Sequence, residues 1–115
     1  KEQDVVHKSI QYMKDNLENK ITSNDIASHA GYSEARFNSL FSQKTSYSPM
    51  AYYNQLKIQR ACSYLQFSEM KIKEIAFRLQ FYDQFHFSKT FRQEIGMTPK
   101  EYRKMHRDDR QSFGV

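Results

Sequence analysis

A chain of 115 residues with 38% apolar content suits one compact domain, or two very small units sharing a connecting element. Three glycines and two prolines are too few turn formers for a many-stranded protein, while eight Tyr and nine Phe can close a small helical core. The single Cys62 excludes an internal disulfide and fits a reducing compartment, no apolar run nears the roughly 20 residues of a membrane span, and a formal charge of +5 permits an acidic polymer as partner.

The first predicted helix runs through Val6, Ile10, Met13 and Leu17, which step by four, three and four along one face. Thr22 or Ser23 then caps a short helix carrying Ile26, Ala27 and Ala30 on one side. Gly31 supplies a left-handed C-terminal residue, and Ser33 caps a second helix with Phe37, Leu40 and Phe41 at helical spacing. Ser48-Pro49 sets a capping hydroxyl before a proline at the first helical position. The helix that starts there reaches Gln66, about 27 Å at 1.5 Å per residue. Its expected buried stripe is Tyr52, Leu56, Ala61 and Leu65.

Beyond that helix the chain repeats itself. Asp25-Ile26-Ala27 returns as Glu74-Ile75-Ala76 and Tyr32 as Phe81, both at an offset of 49. The offset then becomes 50: Phe37 with Phe87, Asn38 with Ser88, Phe41 with Phe91, Ser48-Pro49 with Thr98-Pro99, Tyr52 with Tyr102. One inserted residue between Phe81 and Phe87 accounts for the slip. The ordered series marks a duplication, and Asp83 and Thr98-Pro99 repeat the last two caps of the first copy. The charge is uneven, with seven Lys/Arg against six Asp/Glu in residues 1–57 and eleven against seven in residues 58–115.

Two helices crossing steeply after a short turn need specific residues. Ala27 offers no bulk at the crossing, Gly31 takes the turn conformation that a β-carbon resists, and Ile26, Ala30, Tyr32, Phe37 and Leu40 form the wedge. The second copy keeps Ile75, Ala76, Leu79 and Phe81 but has Gln80 where the glycine belongs. A left-handed Gln80 costs about 1 kcal/mol relative to Gly; the longer turn is one way to relieve it. A helical bundle with an accidental turn is the competing reading, and the repetition argues against it.

The segment IAFRLQFYDQFHFSKTFRQEIGMTPKEYR, from Ile75 to Arg103, resembles the signature of the AraC/XylS family of bacterial transcription regulators. It shows the IA pair, the aromatic after the turn, Asp83, Phe87-Ser88-Lys89, Phe91, Gly96-Met97-Thr98-Pro99 and Tyr102-Arg103. The first copy matches through DIASHAGYS (Asp25 to Ser33), Leu40-Phe41, Ser48-Pro49, Tyr52 and Arg60-Ala61. The resemblance covers residues 5–105. It implies an all-α fold of about seven helices, with two homeodomain-like three-helix subdomains whose helix-turn-helix units are joined by a long central helix. The expected division is 1–47, a connecting helix over 48–67, 68–107, and a disordered tail over 108–115. It also implies a monomeric reader of double-stranded DNA, with two recognition helices in successive major grooves and the connecting helix setting their separation. The start at Lys1 is expected for the C-terminal part of a longer cytoplasmic, nucleoid-associated regulator that has a sensing domain and contacts RNA polymerase. Gln80 and Ser46-Tyr47 depart from the family's glycine-containing turns.

A recognition helix turns its N-terminal exposed side chains to base edges. In the first unit these are Glu34, Ala35, Arg36, Asn38 and Ser39; Asn suits adenine, Arg suits guanine, and Ala35 offers only a methyl contact. In the second they are Gln84, Phe85, His86, Ser88 and Lys89. Gln84 suits adenine and Lys89 guanine or a phosphate. Phe85 reads equally well as a surface ring against a thymine methyl or as core. His86 reads first as a solvated helix histidine, and second as a base or phosphate contact. Phosphate contacts are expected at helix starts, from Thr22, Ser23, Ser48 and Thr98, with Lys44, Lys71, Lys73 and Arg92 as positive partners.

His7, His29, His86 and His106 have no metal-ligand spacing, and Cys62, lying mid-helix, reads as a small buried residue. With no phosphate-cradling glycine loop either, an enzyme is disfavoured and neither cofactor nor metal is expected. Two alternatives remain: a helical protein-interaction module, and an architectural binder indifferent to sequence.

Overall fold

The computed structural model describes residues 4–107 in full, with the backbone alone at 2–3 and 108–114. Seven α-helices follow one another: α1 (Glu2–Asp15), α2 (Ser23–Ala30), α3 (Glu34–Thr45), α4 (Pro49–Phe67), α5 (Ile72–Arg78), α6 (Gln84–Ile95) and α7 (Pro99–Gly114). No strand occurs among the described residues, as expected for the all-α class. The tail expected over 108–115 falls outside the fully described residues.

The chain divides into two compact units, Lys1–Leu56 and Lys57–Val115, and the division falls inside α4. In the first unit α1 packs on α2 and α3, and α2 on α3. Val6, Met13, Leu17, Ile26, Phe37 and Phe41 are buried there, as their spacing requires. Ile10 and Ala30 are only half-buried. On α4 the fully enclosed ring is Tyr53, not Tyr52. The Tyr53 hydroxyl donates to the carbonyls of Asn16, at 2.7 Å, and Asn19, at 3.1 Å, in the turn that follows α1. Burial, and secondarily the nearby Tyr12, pushes the Tyr53 phenol up to about 12. Tyr52 sits beside the core, its ring edge-on to Phe41 at 5.5 Å, and Phe41 meets Phe37 at 5.6 Å.

The second unit repeats that ladder of rings. Phe87 meets Phe91 at 5.8 Å and Phe91 meets Tyr102 edge-on at 5.6 Å. Ile58, Ala61 and Leu65 of α4 are buried in the same unit as Ile75, Ala76 and Leu79. At the C-terminal end of α4, Arg103 Nε donates to the Leu65 carbonyl at 2.9 Å, and Arg107 bonds the Ser68 carbonyl and pairs with Glu69 at 3.0 Å. Cations placed on the open carbonyls of a helix terminus also oppose its dipole.

Among the described residues four adopt positive φ: Gly31 (83°), Ser46 (70°), Gln80 (64°) and Gly96 (91°). Under the duplication Gly31 corresponds to Gln80 and Ser46 to Gly96, so each copy has one glycine and one non-glycine in this role. A β-carbon on Gly31 or Gly96 would meet nothing within 4 Å, so the backbone angle, not space, favours glycine there. The inserted residue does not release Gln80 from the left-handed region.

Lys57, on α4, is 7% exposed and its ammonium lies 5.4 Å from the centre of the Phe81 ring. Enclosure lowers its pKa from 10.5 to about 8.

Two stability measurements follow from these features. Ser46→Gly is expected to raise the unfolding free energy by about 0.5–1 kcal/mol, read in urea titrations; an unchanged or lower midpoint contradicts the strain at Ser46. Below about pH 8 the folded chain bears the full cost of enclosing the Lys57 ammonium. As pH rises toward 10.5 the unfolded chain binds the proton that the folded chain has lost, so stability rises. Measured between about pH 7.5 and 9.5, the stability difference between the parent and Lys57→Met is therefore expected to move in the parent's favour. Tyr53 and Tyr102, both pushed up to about 12, act in the opposite sense only above their usual value of 10.0.

Candidate nucleic-acid interface

Each unit builds the same local device. In the first, α2 begins with a reciprocal cap: Asp25 N–H donates to the Thr22 hydroxyl at 3.1 Å, and Thr22 N–H donates to the Asp25 carboxylate at 2.9 Å. The helix closes through Gly31 N–H to the Ser28 carbonyl and Tyr32 N–H to the Ala27 carbonyl, both at 3.0 Å. Ser33 accepts from Arg36 N–H at 3.3 Å and starts α3. In the second unit the closing bonds run from Gln80 N–H to the Phe77 carbonyl and from Phe81 N–H to the Ala76 carbonyl. Asp83 then accepts from His86 N–H at 2.7 Å and starts α6. Ala27 and Ala76 are both buried at the crossings, where a larger side chain would part the helices.

This placement turns the first turns of α3 and α6 outward. Glu34, Ala35, Arg36 and Ser39 are exposed on α3, and Gln84, Phe85, His86 and Lys89 on α6. Phe85 is 77% exposed, so the reading of it as core is overturned: it lies opposite the face that buries Phe87 and Phe91. His86 is exposed with its ring 6.0 Å from that of Phe81. Asn38 and Ser88, equivalent under the duplication, are both half-buried. The Oδ1 of Asn38 is enclosed without a hydrogen-bond partner, so as placed this amide does not present both of its polar atoms outward, which bidentate pairing with adenine requires.

The helix starts differ in what they offer an anion. At Thr22, where Ser23 opens α2, the Asp25 carboxylate already occupies the N-terminus. At Thr98, Glu101 does the same, accepting from Thr98 N–H at 2.9 Å; this bond, with the Thr98 hydroxyl, holds the Glu101 carboxyl below its usual range. At Ser48 the cap is a neutral hydroxyl accepting from Ala51 N–H at 3.2 Å, and the first turn of α4 has no acidic residue. The start of α4 is therefore the least obstructed of the three for a phosphate. Lys71 sits at the start of α5 without a side-chain cap bond; Lys73, Lys44 and Arg92 are exposed.

Two exposed rings beside this surface were not among the sequence-derived candidates. Tyr82 is 90% exposed and Phe77 is 78% exposed. Tyr82 lies within the stretch where the repeat offset slips from 49 to 50, the one signal that could have singled it out. Cys62 is half-buried, not fully enclosed; burial pushes its thiol up, against hydrogen bonding with Tyr102, and an undissociated thiol is a poor nucleophile. Among the described residues no group of three or more His, Cys, Asp or Glu could hold a metal ion, and no helix is long and apolar enough to cross a membrane.

The model of a family described as "Helix-turn-helix domain" matches residues 26–105. The HTH-type transcriptional activator RhaS of Escherichia coli O1:K1 is 29% identical over 94 residues, covering 82% of this chain and 34% of that protein. The HTH-type transcriptional activator AarP of Providencia stuartii is 27% identical over 99 residues, 86% of this chain and 73% of the relative. Among solved structures, a transcriptional regulator of Chromobacterium violaceum, described as an AraC-type DNA-binding domain-containing protein, is 31% identical with a TM-score of 0.86. That match covers 90% of this chain and 93% of the other. The chain thus spans about a third of the length of RhaS.

Proposed function

The chain belongs to the helix-turn-helix family of AraC-type DNA-binding domains, and on that premise we propose that it binds double-stranded DNA in a sequence-specific manner and regulates bacterial transcription. The observation that supports this best is the pair of capped helices, α3 and α6, each set after a left-handed turn with its first three side chains exposed. Each enters a major groove. Glu34, Ala35, Arg36 and Ser39 meet base edges in one, and Gln84, Phe85, His86 and Lys89 in the other. Asn38 and Ser88 stand at the margins of these surfaces and reach bases only after a change of rotamer.

Ser48, Lys44, Lys71, Lys73 and Arg92 hold the phosphate backbone. Thr22, Ser23 and Thr98 contribute less, because their own carboxylate partners repel a phosphate. In this reading α4 is the connecting element over 48–67, between functional subdomains 1–47 and 68–107. The domain acts as a monomer by binding, not by catalysis, and needs no cofactor. It works in the bacterial cytoplasm, at the nucleoid, as the C-terminal part of a longer regulator that has a sensing domain and contacts RNA polymerase.

Selection of bound duplexes from a random pool tests this reading. Affinity for duplex is expected to fall steeply between about 50 and 200 mM salt as phosphate contacts release counterions. On the selected site Gln84→Ala or Lys89→Ala is expected to cost about 1–3 kcal/mol and relax the preference at one position. Lys44→Ala or Arg92→Ala instead weakens all sequences alike. No affinity for any duplex at low salt would sink the proposal; base-contact variants with no effect on preference would leave only a sequence-independent binder.

A further inference from the structure

We propose that Phe77, Tyr82 and Phe85 form an apolar groove that receives thymine 5-methyl groups, so that the second unit selects thymine by its methyl rather than by hydrogen bonds alone. This deepens the DNA-binding reading and rests on it. The three rings are 78%, 90% and 77% exposed, and together with Lys73 and Gln84 they line one cavity of about 460 Å³ between α5 and the start of α6.

The duplication supplies an internal control. Three pairs of packed rings recur between the copies: Tyr32 and Phe81, Phe37 and Phe87, Phe41 and Phe91. The three exposed rings have no such counterparts. Phe77 corresponds to Ser28 and Phe85 to Ala35, while Tyr82 lies in the lengthened turn. The first unit builds its own turn and helix crossing without such rings, so the architecture does not call for them. Three adjacent rings left in water are unfavourable and mark a surface with an occupant.

The surroundings point to DNA as that occupant. Gln84, immediately before Phe85, carries the amide that matches the N6 and N7 edge of adenine, and the thymine paired with that adenine displays its 5-methyl in the same groove. Lys73 puts a cation at the rim, where a phosphate would pass. The Asp83 carboxylate in the cavity wall is already engaged by His86 N–H. A phenyl ring beside a base edge makes no hydrogen bond with it; what it distinguishes is the presence of a methyl. The recognised feature is therefore the methyl itself, and 5-methylcytosine presents it as well.

The test uses the duplex selected by this chain, with each thymine in turn replaced by deoxyuridine. We expect one or two positions contacted by the second unit to lose about three- to fourfold in affinity, the worth of one buried methyl. Phe85→Ala should bind thymine and deoxyuridine duplexes equally, whereas Phe85→Leu, which keeps an apolar contact, should retain part of the difference. At the same position 5-methylcytosine should bind better than cytosine. A selected duplex that is indifferent to every deoxyuridine substitution, or a difference that survives unchanged in Phe85→Ala, overturns the inference and leaves the ring cluster to a protein partner. In both of those outcomes DNA binding itself persists. If no duplex is bound at all, both readings fall.

Discussion

Both halves of this chain depend on one backbone constraint: a residue held at positive φ between two helices while its own N–H and that of its successor fold back onto the helix just ended. At Gly31 and again at Gln80 these bonds reach the same pair of carbonyls, three residues back from the left-handed residue and five back from its successor. Once they are closed, the following helix can leave only across the preceding one. The close crossing that results admits alanine and little else, which is why Ala27 and Ala76 are buried. The outward aim of α3 and α6 is thus set by φ at one residue and bulk at another, before any contact with a ligand.

Above that shared device the copies have diverged in what they display. The aromatic ladder inside each unit is preserved almost ring for ring, with centre separations of 5.6 and 5.5 Å in one and 5.8 and 5.6 Å in the other. Outside, the first unit shows short side chains at Ala35 and Ser39 and one guanidinium at Arg36. The second shows Gln84, Phe85 and Lys89, with two further rings beside them. Packing density penalises change in the ladder, whereas surface residues carry no such penalty. Divergence has gone where it costs least.

Most of the architecture was legible in the sequence because it is written in local chemistry. Ser33, Asp83 and the Ser48-Pro49 and Thr98-Pro99 pairs mark helix starts through hydrogen bonds spanning three residues, and the apolar period marks the inner faces. Adjacent positions at the edge of a helical stripe were not legible. Tyr52 and Tyr53 are chemically alike and lie 100° apart on α4, and only tertiary packing decides which is enclosed. Phe85 was ambiguous for the same reason. Phe77 and Tyr82 went unnoticed because an aromatic residue is taken for core unless something contradicts it. The carboxylates that close the starts at Thr22 and Thr98 belong to capping boxes, visible as spacings, but their competition with a phosphate becomes evident only once the bonds are seen.

The exchange of glycine between the two left-handed positions of each copy has a kinetic side. In the first copy the strained residue, Ser46, follows the recognition helix, and the turn that aims the helix is a relaxed glycine. In the second the strained residue, Gln80, lies in that turn. A local strain of about 1 kcal/mol makes opening of the turn about fivefold more frequent. The turn before α3 is therefore the stiffer of the two, and the turn before α6 is the one that opens more readily.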